Sequence, residues 1–129
     1  MIEQFKGYFA KLARLSSTEL DHSAEKLVVA ENGNIAKLIA HIAEMSTRKL
    51  TLELGYKNLF HYCVSRLNLS EGAVPARIHV ANVARRFPQL LVALAENRIS
   101  LTVASLLAAH VDEDNVEKLI SAKLISVPG

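Results

Sequence analysis

Between Leu20 and Met45, apolar residues recur at intervals of three and four: Leu20, Ala24, Leu27, Val28, Ile35, Leu38, Ile39, Ile42 and Met45. A helix turns once every 3.6 residues, so this spacing lines those side chains along one face. A strand would need alternation at every second position, which the stretch lacks. The pattern predicts one long helix over about 17–48 with its stripe turned inward. Ser16 or Ser17 can cap its first turn, since a short side-chain oxygen reaches the free N–H groups there. Asn32-Gly33-Asn34 weakens the run by about 1 kcal/mol at the glycine relative to alanine, which leaves a kink or break open.

Such a helix needs other elements to cover its stripe, and the composition says of what kind. Five glycines, three prolines and no tryptophan in 129 residues leave little material for the tight turns of a sheet-rich fold. Half the residues are hydrophobic, enough for one core and too short a chain for two ordinary domains. The expected architecture is a single all-α domain over 1–129, a compact multi-helix bundle.

Phe5, Tyr8, Phe9, Leu12 and Leu15 give a short first helix whose aromatic face reads as packing rather than a cofactor site. Leu50 to Tyr56 alternates like a strand but has no partner strand, so it reads as an irregular connector ending at Gly55. Asn58 caps a helix to about Leu67, and Ser70 caps another to about Arg86. Phe87-Pro88 breaks the chain before a helix from Gln89 to Glu96. After a turn at Asn97 to Ser100, a helix runs from Leu101 to about His110, and Asp112 caps a last one carrying Val116, Leu119 and Ile120. These form a helix-turn-helix-like unit at about 58–87, a second helix pair at about 89–110 and a C-terminal helix at about 112–122.

Several function classes lose their footing here. No apolar run approaches the roughly 18 residues that cross a bilayer. Met1 to Lys6 lacks a secretory apolar region, which points to the cytoplasm. The single Cys63 sits among Phe60, Tyr62, Val64 and Leu67, the setting of a buried thiol rather than a nucleophile. His22, His41, His61, His79 and His110 are scattered over different helices, and no pair is spaced as a metal site. No phosphate loop, nucleophile elbow or paired-carboxylate motif is present, and Asp112-Glu113-Asp114 reads as capping and solvated charge. The chain is expected to be non-catalytic on its own, with no cofactor and no metal.

The net charge of +2 conceals a segregation. Residues 1–55 carry seven basic and seven acidic side chains. Residues 56–98 carry Lys57, Arg66, Arg77, Arg85, Arg86 and Arg98 against Glu71 and Glu96, a net +4. The remainder, with Lys118 and Lys123 against Asp112, Glu113, Asp114 and Glu117, is net −2. A phosphate backbone attracts an arginine-rich patch, although a solvated helical face can carry the same charges for solubility alone.

The spacing from Tyr62 to Ile78 adds to this. A helix ending at Leu67, Asn68 able to turn left-handed, Leu69 as a core plug and Ser70 as a cap are the parts of a helix-turn-helix. Ala73, Val74 and Ile78 then face inward. Ser70, Glu71, Gly72, Ala76, Arg77, His79, Asn82, Arg85 and Arg86 form the candidate DNA face, with Pro75 also turned outward. Pro75 is awkward because it cannot donate to the carbonyl of Glu71, so the helix can start later than Ser70. An ordinary antiparallel helix pair has the same turn. Leu94 to Leu107 repeats the pattern more weakly.

Leu52-Glu53-Leu54-Gly55-Tyr56, Leu59-Phe60-His61-Tyr62-Cys63-Val64, Leu69-Ser70-Glu71-Gly72-Ala73 and Ala84-Arg85-Arg86-Phe87-Pro88 resemble the helical region preceding the nuclease domain of bacterial HNH endonucleases. Ile99-Ser100-Leu101-Thr102 and Ser105-Leu106-Leu107 fall in the same register, so the likeness spans about Leu15 to Leu119. It implies a DNA-targeting or regulatory region. The family's catalytic histidine and metal ligands lie downstream of this region, and the chain stops at Gly129 before any of them.

Two readings follow. In the first, the helix near Ser70 binds double-stranded DNA and positions a nuclease domain in cis or in trans. In the second, the long helix pairs with another chain, as a protein-interaction or dimerisation module without nucleic-acid binding. A homodimer presenting two recognition helices would combine them.

Overall fold

The computed structural model describes residues 1–122 and contains eight helices there and no strand. Lys123 and the terminal Ser126 to Gly129 lie outside the described residues. In chain order the helices are α1 (Ile2–Ala13), α2 (Ser17–Arg48), α3 (Leu50–Glu53), α4 (Leu59–Ser65), α5 (Val74–Ala84), α6 (Gln89–Ala95), α7 (Leu101–Ala108) and α8 (Val116–Ala122). No described helix is long and apolar enough to cross a membrane.

The long helix predicted over 17–48 is α2, and it runs unbroken through Asn32-Gly33-Asn34. The break left open at Gly33 does not form, because a glycine weakens a helix without removing any backbone hydrogen bond. Ser16 sets the start. Its hydroxyl accepts from the Glu19 N–H at 3.1 Å while the Glu19 carboxylate accepts from the Ser16 N–H at 2.9 Å, satisfying two otherwise free donors. Lys49 ends α2 in the left-handed conformation, with φ 54°.

Only the second half of α2 enters the core, through Ala36, Ile39, Ile42 and Ala43. There it packs on α5 and α6, while α5 also contacts α4, α6 and α7. Val74, Val80, Leu90, Leu94, Leu107 and Ile120 complete a continuous buried cluster with Ile39 and Ile42. Each such aliphatic side chain contributes about 1.5–3 kcal/mol on full burial. The inward stripe expected for the whole of α2 therefore holds only from about Ile35 onward.

The connector expected from Leu50 to Gly55 closes instead into the single turn of α3, whose end is set by Gly55 at φ +87°. Leu52 and Leu54 are exposed, and the buried residue of the turn is Thr51. The α4 start matches its predicted cap, with Asn58 accepting from the His61 N–H at 2.8 Å. Asn68 and Asn97 both adopt the left-handed conformation, with φ 57° and 60°. Each ends one helix of a pair, and after Asn97 Ser100 caps α7 through the Val103 N–H at 3.1 Å. Asp112, expected to cap the last helix, accepts from the N–H groups of Asp114 and Asn115 in the turn that precedes α8.

Ser70 does not cap α5. It lies in a turn whose carbonyl accepts from the Ala73 N–H at 3.0 Å, and the helix begins at Val74 with Ala73 in the cap position. Pro75 accounts for the shift. A proline is accommodated only in the first turn, where its missing N–H has no partner to lose, so the helix opens just before it. At the other end α5 stops at Ala84, short of Arg86.

Candidate functional site

The candidate DNA face divides into two parts. Ser70, Glu71 and Gly72 are exposed in the turn before α5, and Asn82, Arg85 and Arg86 are exposed at its far end. Ala76, Arg77 and His79, between them, are half-buried. Ala76 and His79, expected on the groove side, lie on α5, which packs against α2, α4, α6 and α7.

The arginines are committed to partners of their own. Arg85 Nη2 donates to Glu44 Oε1 on α2 at 2.5 Å. Arg86 donates to Glu113 at 3.3 Å, with its guanidinium 5.0 Å from the centre of the Phe87 ring. Arg98 pairs with Glu96 at 2.9 Å. Arg77 turns back along α5 to the Ala73 carbonyl at 2.6 Å, leaving its buried Nε without a partner. His79 Nδ1 lies 3.3 Å from Ser105 Oγ, linking α5 to α7. Lys57 and Arg66 are exposed, and no ion pair among the described residues holds them.

The remaining chemistry is sparse. Cys63 is buried, and that burial raises its thiol pKa, with the nearby Arg77 charge acting the other way. Such a thiol is mostly protonated and unreactive at neutral pH. Among the described residues no three His, Cys, Asp or Glu side chains gather in a cluster able to hold a metal. The depression beside the Arg85–Glu44 pair is open and of about 300 Å³, walled by Ala40, Ala43, Pro88 and Leu91.

The most prominent surface lies elsewhere. No residue of α1 is buried, and α1 makes no extensive contact with any other helix. Ile2 and Phe9 are 73% and 69% exposed, and Phe5 and Tyr8 are exposed with them. Among the described residues, nothing buries the aromatic face that was read as packing. The first half of α2 continues the pattern, with Leu27 60% exposed beside Leu20, Val28 and Val29. Together the two segments form an amphipathic arm outside the core.

Sequence reasoning missed this arm because periodicity reports a stripe and not what covers it. A second signal was available in the charges. Lys6, Lys11 and Arg14 outweigh Glu3 in the first segment, whereas Glu19, Asp21, Glu25 and Glu31 outweigh Lys26 in the second. The balance over 1–55 thus conceals a basic first segment, an acidic second one and a further net +1 over residues 32–55.

Compared with known proteins, the chain matches no family model, no curated protein and no solved structure. The likeness to the region preceding HNH nuclease domains rests on the sequence motifs alone.

Proposed function

We propose that this chain is a non-catalytic association module: the bundle is a scaffold, and the first half of α2 docks a basic amphipathic helix. The observation that carries this is the exposed apolar row on α2, from Leu20 to Val29, flanked by Asp21 and Glu25. Soluble monomers rarely leave contiguous apolar surface of this kind uncovered. Helix-in-groove recognition reads such rows through anchors spaced three and four apart. The acidic flank selects the sign of the ligand. On the resemblance, a nuclease domain in cis or in trans is what the module accompanies.

The test uses a labelled Leu/Lys heptad peptide that folds as a basic amphipathic helix. Binding is expected to wild type and to be lost in Leu20→Asp/Leu27→Asp, with the thermal transition of the bundle unchanged. Failure of wild type to bind would overturn the reading.

Double-stranded DNA binding is the second reading, favoured by the net +4 of residues 56–98 and by Lys57 and Arg66, which are exposed and in no ion pair among the described residues. The ion pairs at Arg85, Arg86 and Arg98 are exposed, where such pairs contribute about 0–1 kcal/mol, so phosphate can compete for these arginines. Anisotropy of labelled duplex DNA across a salt series tests it. Salt-sensitive binding lost in Lys57→Ala/Arg66→Ala would support it, and no binding at low salt would exclude it.

A further inference from the structure

We infer that the basic amphipathic helix docked by α2 is α1 of a second copy of this chain, and that the exchange is reciprocal. The inference rests on the association reading above and names its partner.

Length is the first argument. At 1.5 Å per residue, α1 spans about 18 Å and the uncovered stretch of α2 about 22 Å, so one lies along the other without overhang. The apolar spacing agrees as well. Ile2, Phe5, Phe9 and Leu12 on α1 recur at three and four, as do Leu20, Ala24 and Leu27 on α2. Both are the seam of a helix pair packed through knobs into holes.

Charge decides between the available pairings. Residues 2–14 are net +2, through Lys6, Lys11 and Arg14 against Glu3, and residues 17–31 are net −3, through Glu19, Asp21, Glu25 and Glu31 against Lys26. Two copies of α2 laid together would oppose acid to acid, and two copies of α1 base to base. Only α1 on α2 brings opposite charges together along an apolar seam. Among the described residues of one chain, α1 has no buried residue and does not lie extensively on α2.

The area is also sufficient. Reciprocal docking covers the exposed parts of Ile2, Phe5, Phe9, Leu20 and Leu27 twice. That brings the pair to roughly the 1,200–2,000 Å² of a specific interface.

The experiment is sedimentation velocity on the whole chain over a concentration series, with two charge-reversed variants. One carries Lys6→Glu, Lys11→Glu and Arg14→Glu. The other carries Asp21→Lys, Glu25→Lys and Glu31→Lys, leaving the Glu19 cap intact. Wild type is expected to dimerise. Each variant alone should associate at least about tenfold more weakly, because both of its contacts become like-charged. An equimolar mixture should recover the dimer, since every contact in the mixed pair again joins opposite charges. Circular dichroism confirms that each variant keeps its helices. A monomeric wild type that still binds the Leu/Lys peptide would overturn the second copy as partner while leaving the association reading intact. A dimer indifferent to both reversals, or a mixture that fails to recover it, would overturn the α1–α2 pairing.

Discussion

Glu44 of α2 accepts a hydrogen bond from Arg85, just past the end of α5, at 2.5 Å, while its other carboxylate oxygen accepts from Arg48 at 2.7 Å. One acid thereby ties the long helix to the central one. The Arg48 hydrogen bond, followed by that of Arg85, holds the Glu44 carboxyl below its ordinary value of 4.5.

The sign of the pH effect follows. A depressed folded-state value adds stability that is present above the unfolded value and is lost as pH falls through the folded one. Glu44→Gln is therefore expected to lower the Tm slightly at neutral pH, and the gap to wild type should close on acidification below about pH 4.5. Thermal melts from pH 7 to pH 2 check this, and a gap that widens with acid would contradict it.

Core and arm should respond differently to the same truncation. Ile39→Ala or Leu94→Ala removes a side chain buried among α2, α5 and α6 and is expected to cost about 2–5 kcal/mol. Leu27→Ala, on the arm, should change stability by less than about 0.5 kcal/mol in the dilute chain. Urea denaturation measures both.

Two glycines should give effects of opposite sign. Gly33 is helical, and a Cβ there meets no atom within 4 Å, so Gly33→Ala is expected to stabilise α2 by about 0.5–1 kcal/mol. Gly55 has equal space but φ +87°, so Gly55→Ala should destabilise by about 1–2 kcal/mol through backbone strain. Denaturation midpoints decide the signs.

Ser16→Ala removes half of the capping box that starts α2. The expected cost is about 0.5–2 kcal/mol of helix stability. Because the first turns of α2 lie outside the core, the loss should appear as faster amide exchange over residues 17–31 rather than as a lower Tm of the bundle. Hydrogen-exchange mass spectrometry separates the two outcomes.

Local chemistry written in single side chains was legible in the sequence. Asn58 caps the helix it was expected to cap, Ser16 is the one of two candidate serines that caps α2, and Asn68 takes the left-handed turn. The α5 start was legible only in part: Ser70 suggested one residue and Pro75 another, and the proline prevailed because a missing donor cannot be compensated in a helix interior. Burial was the harder quantity. Phe9 and Ile39 both sit at helix-periodic positions, yet one is 69% exposed and the other fully enclosed. What separates them is whether a distant segment covers the stripe, and no local window contains that information. The same holds for Arg85 and Arg86. Their charge was plain, but Glu44 and Glu113, which engage them, are 41 and 27 residues away in sequence.

The continuity of α2 through Gly33 has a mechanical consequence. With 32 residues in one uninterrupted helix, α2 is a strut about 48 Å long, rooted at one end between α5 and α6. A hinge at its middle would let the bundle swing freely once the tip was held. Without one, whatever grips the tip also sets the heading of the bundle, so two chains joined at their tips would hold their bundles at a fixed separation and angle.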